Sequence, residues 1–165
     1  MDFKLTDDQQ AFQQTARDFA KSELPEAAQI CETEASPPTH ELIRKYGEMG
    51  FLGINVPEEY GGLGLGNIDA LIVLEEFAKI SSAIAFPVFE SCVGPVKAIE
   101  HFAEESLKKR VIPEVCSGDM IVAVAMSEPD AGSALTDLKT KGRVTNDKVI
   151  LNGLKRWCSG GGHAD

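Results

Sequence analysis

VAVAMSEPDAGSALTDLKTKG, residues 122–142, is where the character of the chain changes. It opens inside an apolar run, residues 120–127, that has the length of a strand. It then breaks into Ser127, Glu128, Pro129, Gly132 and Ser133. Such a loop, at the end of an apolar strand, is either plain connection or a place where hydroxyls and backbone amides hold a ligand. Glu128, before Pro129, reads as a local structural acid that accepts loop amides, and not as a catalytic base.

Upstream of this stretch the apolar residues recur at helical spacing. Thr6 and Gln9 form a capping box, and Phe12, Ala16, Phe19 and Ala20 follow as one stripe. Pro25 bends or ends that helix, depending on the backbone it meets. Residues 32–39, ETEASPPT, read as a linker. Leu42, Ile43 and Tyr46 or Met49 mark the next helix, and Gly50 is placed to stop it. Leu71, Leu74, Phe77 and Ala78 predict the buried side of a third. Residues 81–103 read as two helical pieces divided near Gly94 and Pro95. Leu107, Val111 and Val115 face inward from a last helix, in which Pro113 sits awkwardly. Residues 51–66 are rich in glycine but match neither GxxxxGK[ST] nor a GxGxxG that opens a helix, so they predict a tight loop supporting a neighbouring pocket. Downstream, Val144 and Val149 flank Asn146-Asp147 as two strands joined by a short turn.

The fold class is therefore α+β. An all-helical domain spans residues 1–117, and the first strands of a β-barrel-like domain fill 118–165. Strands so few leave open edges, so the chain is expected to be the front part of a longer polypeptide.

Composition narrows the chemistry. The 165 residues carry 26 acidic and 16 basic side chains, a formal charge of -10, which repels a phosphate backbone and argues against nucleic acid. Cys31, Cys92, Cys116 and Cys158 are widely spaced, with no CxxC pair. They predict thiols in a reducing compartment and no metal site. The opening residues lack an apolar leader core, and no run approaches 18 apolar residues, so neither a signal peptide nor a membrane span is expected. The bacterial cytoplasm fits best, then the mitochondrial matrix after processing.

Two motifs carry a resemblance. AMSEPDAGSALTD, residues 125–137, and LNGLKRWCSGGGHAD, residues 151–165, resemble in that order the two signatures of the flavin-dependent acyl-CoA dehydrogenase family. GEMGFLGINVPEEYGGLG, residues 47–64, is similar to the family's N-terminal pattern, and the likeness runs through the whole chain. It implies an enzyme of fatty acid and lipid metabolism. With FAD, such an enzyme oxidises an acyl-CoA to its 2,3-enoyl-CoA and passes electrons to an electron-transfer flavoprotein. It also implies a homotetramer or homodimer, and a C-terminal helical bundle that these residues do not include. The catalytic Glu is expected in that bundle, so no catalytic residue is named here.

Matched position by position, the resemblance places Ala125, Met126 and Ser127 along the flavin's pyrimidine edge. It packs Trp157 against the ring, with Cys158 beside it, and aims Ser159 at flavin N5. Ser133 falls on the CoA side of the substrate, and the small residues from Ser91 to Val96 help form the acyl pocket. The physics agrees: an apolar ring needs aromatic packing, and its polar edge needs a few aimed donors. Taken without the resemblance, Trp157 reads as core, and Ser127 and Ser133 as ordinary loop hydroxyls. Departures are Ala134, where the family often has Asp, and Cys158 and Gly160, where Ile or Val and Asn are frequent. The same fold also serves acyl-CoA oxidases and enoyl-CoA reductases. A non-catalytic fragment or partner subunit is the alternative outside enzymes.

Overall fold

The structure, a computed structural model, describes residues 4–165. Residues 1–3, on which the reading of the leader partly rests, lie outside them. Helix α1 runs Asp7–Glu34. Its start is the expected capping box: the Gln9 amide donates to the Thr6 hydroxyl and the Thr6 amide to the Gln9 side chain, both at 3.2 Å. The stripe buries Ala16, Ala20 and Leu24 and packs Phe12 and Phe19 against the core. Pro25 forgoes one backbone bond without ending the helix, because tertiary packing on both sides of it holds the axis. Residues 32–34 therefore belong to α1, and the expected linker begins only at Ala35, whose left-handed φ of 50° closes the helix.

Helix α2 is His40–Glu48, followed by Gly50 at φ 75°. Residues 51–66 double back on themselves. The Leu63 amide donates to Gly53 O, Gly64 to Val56 O and Leu65 to Ile54 O, at 2.8–2.9 Å. Gly62 is needed there, since a Cβ would overlap the Val56 carbonyl.

Helix α3, Asn67–Ala78, packs against α1 and α4. Its buried side is Ala70, Ile72, Val73, Glu76 and Phe77, while Leu71 and Ala78 are exposed. The expected face is thus rotated, because Ile72 and Val73 lie on the arc that meets α1 and α4. Glu76 is 3% exposed and is held by Arg17 at 3.0 Å and Lys79 at 2.8 Å. That pairing is what lets a charge occupy the apolar face.

Helices α4, Ser82–Cys92, and α5, Pro95–Phe102, divide at Val93 and Gly94, as expected. Residues 82–102 are long and apolar enough, by length and composition, to cross a membrane. The break falls within that stretch, and α4 packs on α1 and α3 as a core helix does. Helix α6, Glu105–Ser117, carries Pro113 and ends at Gly118, φ 81°.

The main core centres on Phe19, Tyr46, Phe51 and Phe77, whose ring centroids lie 5.0–5.8 Å apart. A second core joins Val56, Tyr60, Val96, Val111, Ile112 and Val115.

Past Gly118 the chain is extended. Residues 121–127 form no strand, contrary to expectation: their backbone bonds go to scattered partners, Asp165 N to Ile121 O and Arg156 N to Ser127 O, and not to a ladder. The two later strands form as read. β1, Lys141–Thr145, pairs antiparallel with β2, Lys148–Asn152, in the register Thr145 to Lys148. Asn146 takes the left-handed φ, 53°, that a two-residue hairpin turn requires.

Candidate functional site

The loop after residue 127 is organised by Glu128. The Glu128 and Ala131 backbones exchange hydrogen bonds of 2.8 and 3.2 Å, which folds residues 128–131 into a tight turn. The buried Glu128 carboxylate accepts from the Lys139 amide at 2.6 Å, the Thr140 amide at 2.9 Å and the Lys155 ammonium at 2.9 Å. The Thr140 hydroxyl stands close to the carboxyl, which is held down at about 2. The hydroxyl itself falls short of hydrogen-bond geometry, so the amides and the ammonium carry the effect. Glu128 is the structural acid that its place before Pro129 implied.

The same clasp fixes residues 124–128 against 155–158. Arg156 N donates to Ser127 O at 2.9 Å, and Lys155 reaches Met126 O at 2.9 Å. The Cys158 thiol lies 3.4 Å from Val124 O. Cys158 thereby ties one segment to the other. Between these segments and α4 lies a cavity of about 170 Å³, lined by Phe86, Phe89, Glu90, Val124, Met126, Ser127, Trp157 and Ser159.

Four of the six residues assigned to the flavin therefore meet at one cavity, although 30 or more positions separate Met126 and Ser127 from Trp157 and Ser159. Trp157 is 78% exposed and takes a left-handed φ of 58°, unusual for a bulky residue. Arg156 lies 4.4 Å over its ring. It is not the core residue that spacing alone suggested. Among the described residues, the hydroxyls of Ser127 and Ser159 and the amides of Ala125, Met126 and Ser127 donate to no protein group. A row of unpaired donors beside an uncovered indole fits a flat aromatic ring with a polar edge, as flavin is.

Ser133 lies on the exposed loop before the short helical turn Leu135–Asp137, outside that cavity. Ser91 and Val96, assigned to the acyl pocket, do not reach the cavity at Trp157. Val96 is fully buried in the second core and lines neither the cavity at Trp157 nor the larger chamber beside it, although Cys92 and Val93 of the same stretch line a separate cavity of about 500 Å³. Ser91 is also buried, donates to Val88 O at 3.2 Å, and reaches only a cleft of about 20 Å³. The helix presents its preceding turn instead. Phe86, Pro87 and Glu90 line a chamber of about 510 Å³ with Pro37, Pro38, Ile43, Ile121, Ser159 and His163. Phe86, Glu90 and Ser159 are common to this chamber and the smaller cavity.

Glu90 was missed by sequence reading. It is 7% exposed, and burial pushes its carboxyl up to about 7. The one available signal was a lone acid in an otherwise uncharged helix, SAIAFPVFESC.

Residues 6–119 match the family described as acyl-CoA dehydrogenase, N-terminal domain. The glutaryl-CoA dehydrogenase of Desulfococcus multivorans is 35% identical over the whole chain, which spans 43% of that relative. A solved glutaryl-coenzyme A dehydrogenase in complex with glutaryl-CoA superposes with a TM-score of 0.93 at 35% identity, over the whole chain and 42% of its own. PigA in its FAD complex superposes at 0.89 and 28% identity, over the whole chain and 43% of its own. The chain thus spans less than half the length of each.

Proposed function

Because the chain belongs to the acyl-CoA dehydrogenase family, we propose that the protein it forms part of binds FAD and oxidises an acyl-CoA thioester to the 2,3-enoyl-CoA. The observation that carries this reading is the row of unpaired donors beside Trp157, opening toward an apolar chamber. When bound, FAD supplies a two-electron acceptor for hydride from the acyl β-carbon. The amides of residues 125–127 and the Ser127 hydroxyl would hold the ring's polar edge, and Ser159 its N5 side. Donors fixed before reaction stabilise charge as it develops, without reorganising at that moment. Trp157 would cover a ring face and exclude water. Removal of the α-proton falls to a carboxylate outside these 165 residues.

An electron-transfer flavoprotein is the proposed acceptor, and a homotetramer or homodimer the proposed assembly. Both rest on family likeness. Four unpaired thiols suit a reducing compartment, and the bacterial cytoplasm is the proposed location.

The test is anaerobic titration of the full-length protein with a panel of acyl-CoAs, following the flavin absorption. Bleaching by at least one thioester, with enoyl-CoA formed, is expected. No bleaching by any of them overturns the reading. Trp157→Ala should lower the flavin-to-protein ratio and leave the melting temperature of the apoprotein unchanged, since the indole lies outside both cores.

A further inference from the structure

Among the described residues, Glu90 is the buried carboxylate to which the structure gives no partner. Glu76 is paired with Arg17 and Lys79, and Glu128 with Lys155 and two amides. Glu90 has neither hydrogen bond nor ion pair among the described residues, although it is 7% exposed. Its oxygens are not enclosed, so the carboxyl is left to be solvated from the cavities it faces, and whatever fills them takes that solvation away.

Glu90 stands on the wall shared by the 510 Å³ chamber and the cavity at Trp157, and its oxygens lie 3.4 and 3.6 Å from where a Cβ on Gly160 would stand. Gly160 leaves the carboxyl open toward the chamber. The other walls are apolar apart from hydroxyls and the imidazoles of His40 and His163, and no Lys or Arg lines either cavity.

Resting on the dehydrogenase reading, we propose that Glu90 determines specificity in the acyl chamber. It selects an acyl group that carries a hydrogen-bond donor, a hydroxyl or an amine, over an unsubstituted or carboxylated one. An alkyl chain would fill the chamber and strip the carboxyl of water with nothing in exchange. A donor on the chain replaces that water. Where Glu90 is ionised, a terminal carboxylate brings a second negative charge beside it in a space lined by no Lys or Arg.

The test uses the full-length holoprotein, reduced beforehand so that no turnover occurs. Calorimetry gives dissociation constants for unsubstituted, ω-hydroxy, ω-amino and ω-carboxy acyl-CoAs of matched length, glutaryl-CoA among the last. At one chain length or more, the hydroxy or amino thioester should bind at least about tenfold tighter than the unsubstituted one, as a hydrogen bond to a charged group is worth. Glu90→Leu should abolish that preference and tighten unsubstituted binding. Glu90→Gln, which keeps the shape, should retain the hydroxyl preference and lose that for the amine. Equal binding of unsubstituted and donor-bearing thioesters at every length overturns the proposal, as does a preference that survives in Glu90→Leu. Tight, selective binding without flavin bleaching by any thioester would instead overturn the dehydrogenase reading and leave the role of Glu90 standing.

Discussion

Glu128 and Glu90 show how much the surroundings of one residue decide. Both are buried carboxylates. Glu128 collects two amides and an ammonium, and its carboxyl falls to about 2; Glu90 collects nothing, and burial lifts it to about 7. For Glu128 the folded value lies below the ordinary 4.5, so the stabilisation it brings is complete above about pH 4.5 and is lost as pH falls toward 2. Glu128→Gln should therefore melt below the native protein at neutral pH, and the gap should close between about pH 4.5 and 2. Melting temperature against pH measures this, and a gap constant across that range would refute the assignment. The structural role of Glu128 was legible in sequence, because a carboxylate before Pro129 faces loop amides. The role of Glu90 was not: its neighbours in space, Gly160 and Trp157, are distant in sequence.

At the scale of elements, local signals located helix ends well and helix faces less well. The capping box at Thr6 and the break at Gly94 are short-range chemistry, and they stand where the residues put them. Pro25 and the face of α3 followed packing instead. The contact of α2 with α6 depends on two glycines. A Cβ on Gly47 would overlap the Ser117 carbonyl, and one on Gly118 would lie 2.6 Å from Ile43 O. Gly118 also holds φ 81°. Gly118→Ala should cost about 1–3 kcal/mol, from left-handed strain and from pushing α6 off α2. Urea unfolding of the native protein and the variant reads it directly. A change below about 0.5 kcal/mol would mean that the two helices can separate at little cost.

Over the whole molecule, the helices form a main aromatic-centred core and a second, smaller one, and the candidate site sits where α4 meets the extended segments. Phe77 is fully buried and touches Phe19, Tyr46 and Phe51. Phe77→Ala should destabilise by about 3–5 kcal/mol, through lost burial and the cavity left behind. Denaturant midpoints at unchanged slope would verify this, whereas a loss under about 1 kcal/mol would show that the cluster collapses around the gap. Taken alone, the sequence determined the order of helices and hairpin, the caps, and the family motifs at residues 125–137 and 151–165. Those depend on spacing and on residue chemistry within a few positions. Only the tertiary structure decided that Trp157 stands outside the core, that Ser91 and Val96 turn away from the chamber, and that Glu90 turns into it. Which way a side chain faces depends on what packs against its element, and those neighbours come from remote parts of the chain.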